Sequence, residues 1–293
     1  MDNQDWLAER FEQHRPRLRA VSYRMLGSLS DADDAVQEAW LRLSRIDATA
    51  VDDLGAWLTT VVARICLNVL RSRRSRREEP IDPHVPDPIV TAVDPVSPED
   101  EALIADSVGL ALLIVLDTLA PAERLAVVLH DAFDVPFDQI AAIIDRSEPA
   151  TRQLASRARR RLDAAPAPDS SLTDQWELVD AFLAAARDGD FDALLNVLDP
   201  DVVLRADGGP TGPAPSRIER GARNVASGAI FFNTLGHGSR RALVNGAPGV
   251  IAFAGEEVFS VVGFTVARGK IVEMNILTDP ARVRRLNLAP VAR

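Results

Sequence analysis

The sequence predicts a multidomain chain: two all-α segments, the second closing on a helix–turn–helix, followed by an α+β domain. Three observations carry this reading. Apolar residues recur at helical spacing through most of residues 5–163. Pro-rich stretches at 78–101 and 164–171 interrupt that pattern. Beyond residue 200 it gives way to short β-rich runs, Ser239–Val244, Val250–Ala254, Val258–Ala267 and Lys270–Leu277, with turn signals between them.

The first helical segment spans residues 1–77. In Ser30–Leu43, Ser30 suits an N-cap, and Asp31, Asp33 and Asp34 favour the positive end of the helix dipole. Val36, Ala39, Trp40 and Leu43 form its inward stripe, which leaves Asp34, Gln37, Glu38 and Leu41 outward. In the next helix, from Leu54 to Arg77, the stripe of Leu58, Val61, Val62, Ile65 and Val69 turns inward. A second stripe, Trp57, Thr60, Arg64, Asn68, Arg71 and Ser75, joins one aromatic to amide and guanidinium groups. That mixture can stack on unstacked bases and hold a sugar–phosphate backbone. A core tryptophan beside a solvated basic face is the alternative reading of the same residues. The run Arg71–Arg77, including Arg73 and Arg74, is dense enough to grip phosphates.

Residues 78–101 read as an acidic, stiff linker, because Pro80, Pro83, Pro86, Pro88, Pro95 and Pro98 exclude helix and central strand. The second helical segment spans 102–165. Val108, Ala111, Leu112, Val115, Leu116 and Leu119 give one core-facing helix, and Pro121 starts another that runs to about Ala132. Pro136 suits the first turn of a short helix bearing Ile140, Ala141, Ile143 and Ile144. Asp145-Arg146-Ser147 breaks it, and Ser147 caps a further helix in which Leu154, Ala158 and Leu162 point inward. Arg152, Gln153 and Ser156 then lie outward near its start, where base edges are read; Arg157, Arg159 and Arg160 follow at phosphate-contacting positions. An ordinary helical hairpin with a basic solvated side is the competing reading.

Residues 166–293 change character. An amphipathic helix at Thr173–Arg187, then Phe191–Leu198 and Asp201–Ala206, precede the four β-rich runs, which predicts helices packed on a curved antiparallel sheet. Arg268-Gly269 is a hairpin turn, Gly246–Gly249 a break, and Asp279–Leu288 a short basic tail helix.

Composition narrows the class. At 293 residues, 47% hydrophobic and 26% charged, the chain can bury two or three cores. Its longest apolar runs, such as Val108–Leu116, are too short to span a bilayer, and no basic-then-apolar segment opens it, so neither membrane span nor signal peptide is expected. A single cysteine, Cys66, in a helical apolar run fits a buried thiol and a reducing compartment. His14, His84, His130 and His237 have no partner at metal-ligand spacing, so no metal is expected, and no Gly-rich loop follows a strand and opens a helix, so no other cofactor is expected. The net charge of −10 is unevenly spread: acid gathers at Asp31–Glu38, through Glu78–Glu101 and after Asp163, leaving two basic faces for nucleic acid.

An acidic helix, an aromatic-basic helix, a linker and a helix–turn–helix, in that order, resemble the bacterial sigma factors, and more narrowly the extracytoplasmic-function group. DADDAVQEAWLRL looks like that group's region 2.2 and RSEPATRQLASRARRRL like its region 4.2. Residues 166–293 are similar to a SnoaL-like domain, a cone-shaped α+β barrel with a central pocket, which some of these sigma factors carry as a C-terminal extension. His84-Val-Pro-Asp-Pro-Ile89 resembles the linker motif of that subgroup, with His84 where Trp is expected. Asp207-Gly208-Gly209 matches the start of its glycine motif, with Pro210 and Thr211 departing from it, and Asp279-Pro280-Ala-Arg-Val283 resembles its terminal motif, with Asp279 for Asn.

The resemblance implies a cytoplasmic, non-enzymatic protein that takes core RNA polymerase to promoter DNA and helps open it. It implies polymerase docking through Asp34, Gln37, Glu38 and Leu41, and regulation in cis through Asp207, Gly208, Gly209, Asp279 and Pro280. It leaves room for a small ligand in the C-terminal pocket. Two alternatives come from other classes. One is a ligand-sensing one-component regulator, which would need no polymerase-docking helix. The other is a SnoaL-type enzyme using Asp207, His237, Glu256 or Glu257, for which no spacing sets an acid opposite a base.

Overall fold

The computed structural model describes residues 3–46, 51–76, 84–93, 109–210, 212, 215–236, 238–288 and 291. They fall into two units that interleave along the chain: residues 1–79 with 113–164, and residues 80–112 with 165–293. The two helical segments therefore share one unit, the second from Leu113 on, and the Pro-rich segment belongs to the other.

In the first unit, α1 (Asn3–Leu26), α2 (Leu29–Leu43) and α3 (Leu54–Arg76) pack on one another. Gly27, at φ 67°, closes α1 in the left-handed region, so the next helix starts at once. The cap predicted at Ser30 is accordingly Ser28, whose Oγ accepts from the Asp31 N–H at 3.3 Å. By length and composition α3 could cross a bilayer, contrary to the reading from apolar runs. Its apolar side is spent inside this unit, where Leu58, Val62, Ala63, Cys66 and Leu67 are buried. Burial pushes the Cys66 thiol up to about 12, which leaves it protonated and inert.

The same unit holds the second helical set. α4 (Leu110–Thr118) leads to α5 (Pro121–Val127), which continues through a π-helical turn at Val128–Ala132. Then come α6 (Phe137–Ile144) and α7 (Glu148–Leu162). Val108 and the rest of 94–108 lie outside the described residues. Pro136 is the residue before α6, not in its first turn. Asp145, at φ 58°, makes the tight break, and the Ser147 Oγ accepts from the Ala150 N–H at 3.4 Å as predicted. The inward line of α7 is Thr151, Ala155 and Ala158, whereas Leu154 and Leu162 are half-buried. Small side chains let α7 approach α5 closely, so the helix is turned about one position from the predicted Leu154–Ala158–Leu162 stripe.

Arg124 of α5 is 1% exposed. Its Nη1 donates to Asp117 Oδ1 at 2.9 Å and its Nε to the Arg24 carbonyl at 3.1 Å, so a buried cation ties the second helical set to the end of α1. Nearby, Arg17 donates to the Phe133 carbonyl at 2.7 Å, and Arg17 and Arg24 both lie over the Phe133 ring.

In the second unit a sheet of seven strands runs in the order β1-β4-β5-β6-β7-β2-β3. Its strands are β1 (Val90–Thr91), β2 (Leu198–Asp207), β3 (Arg217–Arg220), β4 (Gly238–Val244), β5 (Ala247–Ala254), β6 (Glu257–Ala267) and β7 (Lys270–Leu277). It is mixed, not purely antiparallel as predicted, because β2 runs parallel to β7. α8 (Leu172–Asp188), α9 (Phe191–Val197) and α10 (Ala222–Thr234) cover one face, and the short α11 (Pro280–Val283) follows β7. Trp176, Val179 and Phe182 of α8 meet Val262, Phe264 and Met274 of the sheet in the core.

Replacing Arg124 with Ala leaves the Asp117 carboxylate without its cation and opens a void. It should cost about 3 kcal/mol of stability, read from chemical denaturation of the full chain.

Candidate nucleic-acid and regulatory sites

The outward face of α7 divides its arginines into two kinds. Arg152 pairs with Glu148 at 2.5 Å and lies over the Phe137 ring, and Arg159 pairs with Asp131 at 2.5 and 2.7 Å. Arg161 reaches Glu123 at 3.7 Å. Gln153, Ser156, Arg157 and Arg160 are exposed, and neither Arg157 nor Arg160 has an ion-pair partner among the described residues. The predicted stripe therefore contains two arginines already neutralised by the protein and a free set able to meet a polyanion.

On α3 the predicted second stripe is one face, as the spacing required. Trp57 and Thr60 are half-buried, while Arg64, Asn68, Arg71 and Ser75 are exposed. Arg64 turns toward α6 and reaches the Ala142 carbonyl at 3.5 Å. Arg73, expected to hold phosphate, pairs with Asp31 and donates to the Leu26 carbonyl at 3.1 Å, so it ties α3 to the start of α2. Arg74 is exposed, and Arg77 lies outside the described residues. On α2, Asp34, Gln37 and Leu41 are exposed and Glu38 is half-buried, with Glu38 paired to Arg42 at 2.9 Å. Leu41, at 41% exposure, is an apolar residue amid acidic and amide groups, a docking composition.

The second unit gathers three segments that are far apart in sequence. Arg282 of α11 donates from Nε and Nη2 to Asp87 Oδ1 at 2.8 and 2.6 Å. Its Nη2 also reaches the Val85 carbonyl at 2.5 Å, and its Nη1 donates to Asp207 Oδ2 at 2.7 Å. Asp207 Oδ2 further accepts from the Val85 N–H at 3.0 Å and faces His84 Nδ1 at 3.4 Å. The Asp207 carbonyl accepts from the Thr278 N–H at 2.8 Å, and Asp279 Oδ1 caps α11 by accepting from the Ala281 N–H at 2.8 Å. Gly209 sits at φ 63°, and a Cβ there would collide with the Asp279 carboxylate.

Asp207, Gly208, Gly209, Asp279 and Pro280 are thus brought together, with Asp87 and Arg282 at the centre. Those two supply most of the contacts and were not singled out from the sequence; the quoted linker and terminal motifs contained them. Val85, Pro86, Asp87 and Pro88 are buried, so this part of the Pro-rich segment is embedded in the fold rather than spanning open solvent. β1 then pairs with β4, and Asn245 accepts from the Ile89 N–H at 3.0 Å and returns its own N–H to the Ile89 carbonyl at 2.8 Å.

Of the groups an enzyme might use, Glu256 and Glu257 are exposed where β5 turns into β6, and His237 lies outside the described residues. Burial raises the Asp207 carboxyl, but hydrogen bonds from His84 and the Val85 N–H together with the Arg282 charge outweigh it and hold the group at about 2.

Two family descriptions match the chain: Sigma-70 region 2 over residues 10–76 and Sigma-70, region 4 over residues 110–162. The chain is 37% identical over 285 residues to the ECF RNA polymerase sigma factor SigJ of Mycobacterium tuberculosis, which covers 92% of this chain and 91% of that one. It is 35% identical over 291 residues to the probable ECF RNA polymerase sigma factor SigI of the same species, over 96% of each. The crystal structure of SigJ superposes with a TM-score of 0.76 at 34% identity, covering 96% of this chain and 99% of that one.

Because the folded carboxyl of Asp207 lies below its unfolded value, the stabilisation it supplies is complete above about pH 5 and is lost as pH falls through 4 toward 2. A carbon-13 titration of the full chain should show Asp207 protonating near 2. In Arg282→Ala the midpoint should move up by about one unit or more.

Proposed function

The chain belongs to the extracytoplasmic-function sigma factors, proteins that bind core RNA polymerase and start transcription at promoter DNA, and from that premise we propose how its faces divide the task. The observation that carries the proposal is the partition of α7, where Gln153, Ser156, Arg157 and Arg160 are left free while Arg152 and Arg159 are held by carboxylates. The helix enters the major groove of the upstream promoter element. Gln153 and Ser156 read base edges there, and Arg157 and Arg160 hold phosphates. Arg152 and Arg159 can join them only by exchanging Glu148 and Asp131 for DNA.

The α3 face of Trp57, Arg64, Asn68, Arg71 and Arg74 receives the strand separated at the downstream element, with Trp57 as a stacking platform worth about 1–3 kcal/mol per base. Arg73 supports that face by fixing α3 to α2. Arg64 must leave the Ala142 carbonyl to take part, so strand capture competes with the packing of α6 on α3. Asp34, Gln37, Glu38 and Leu41 dock on a basic surface of core polymerase, with charge setting the encounter rate and Leu41 the apolar contact.

The C-terminal domain acts as a regulator of the linker and not as an enzyme. The Asp207 carboxyl, held at about 2, is a poor general base at neutral pH. Its regulatory role rests on the Arg282 contacts, which anchor the linker at Val85–Asp87. Eight residues, 77–84, separate that anchor from the end of α3 in sequence. Nine Cα steps span at most about 32 Å, so the anchor limits how far the strand-holding face can travel. The protein works in the cytoplasm, where polymerase and promoter are.

Transcription in vitro with core polymerase and a promoter library tests this division. Transcripts should depend on the added chain. Arg157→Ala combined with Arg160→Ala should lower yield at every promoter by about tenfold and flatten the salt dependence. Gln153→Ala should instead relax preference at one base position, worth about 1–3 kcal/mol. Equal effects of both variants on all promoters would refute the assignment of reading and holding residues.

A further inference from the structure

The helices and the sheet of the second unit enclose a cavity of about 460 Å³ that the linker contacts do not use. That is the size of pocket that takes a small organic molecule. Its sheet wall is built from cross-strand pairs: Val250 opposite Val262, Ala252 opposite Ser260, and Phe264 opposite Met274. Phe182 of α8 closes it from the helical side.

Besides Asn233 and Ser239, two polar features of this lining bear on a ligand. Ser260 is fully buried in the wall, and its hydroxyl has no hydrogen-bond partner among the described residues. A buried, unpaired hydroxyl is costly, and Ala, which stands opposite it, would fill the space without that cost. The cost is recovered when something entering the cavity supplies the partner. The second feature is charge. The described lining contains two guanidinium groups, Arg187 and Arg217, and no carboxylate. Arg217 is paired with Glu219 at 2.6 Å, whereas exposed Arg187 has no ion-pair partner among the described residues. The described lining holds no Asp, Glu, His, Cys, Lys or Tyr, so neither of its hydroxyls, Ser239 and Ser260, has a base in that lining to activate it.

We propose that this cavity binds a small amphipathic carboxylic acid, with its acyl body against the sheet, its carboxylate at Arg187 and a hydroxyl or keto oxygen at Ser260.

Calorimetric titration of the full chain with 10-hydroxydecanoate, decanoate and decan-1-ol tests the assignment. The hydroxy acid should bind one site saturably and raise the thermal midpoint. Decan-1-ol, lacking the charge, should bind about fivefold or more weakly, and Arg187→Gln should erase that difference. Ser260→Ala should erase the preference for the hydroxy acid over decanoate, about fivefold for one hydrogen bond. The same substitution should leave the thermal midpoint of the unliganded chain unchanged or raised, which separates lost binding from lost folding. No binding of either acid, or binding that neither substitution alters, would overturn the proposal.

Discussion

A partly buried guanidinium needs acceptors for its donors, and Arg282 obtains them from two segments distant in sequence: Asp87 and the Val85 carbonyl of the linker, and Asp207 at the end of β2. Removing any one of these leaves charge stranded in a partly buried site. The linker therefore cannot leave the second unit without breaking the network. The other features of that region follow from this constraint. Asp207 stays ionised because Arg282 and the linker hold it so, Gly209 is glycine because Asp279 occupies the space of a side chain, and Asp279 caps the turn that presents Arg282.

The first unit is also tied together by a buried arginine, although the Arg124 Nη2 has no hydrogen-bond partner among the described residues. Arg124 joins the two helical sets through Asp117 and the Arg24 carbonyl, and Arg17 adds the Phe133 carbonyl. Both helices proposed to face DNA, α3 and α7, are partly engaged within the protein, Arg64 with α6 and Arg152 and Arg159 with nearby carboxylates. A chain with a net charge of −10 keeps basic faces this way: some arginines are paired with nearby carboxylates, and others, such as Arg157 and Arg160, are left exposed.

Much of this was legible in the sequence, because helices announce themselves by period. The outward residues of α2, α3 and α7 lie where the spacing put them, although Thr151 and Ala155 replaced Leu154 as the buried line of α7. Four strands were visible through their β-rich runs and turn signals. β3 and α10 were not: Arg217–Arg220 has no buried alternation, and in α10 only Val225 and Ala226 are fully buried. The parallel pairing of β2 with β7 has no local signature, since periodicity carries no strand direction. The embedded linker was hidden for a related reason. Val85 and Asp87 contact residues 122 and 195 positions away, and prolines alone spell an extended chain without saying what it lies against. The motif resemblance pointed to the right segments, but the geometry was needed to single out Asp87 and Arg282.

The central claim is that the C-terminal domain governs the sigma factor by holding its linker through Arg282. The most direct test compares promoter-dependent transcript yield from core polymerase with the wild-type chain and with Arg282→Ala, after circular dichroism shows both folded. The account predicts a yield changed severalfold at promoters the wild type uses, with base preference at the α7 element unaltered. Equal yields, with the linker amides of Val85 and Ile89 shown by hydrogen exchange to be released in the variant, would contradict it.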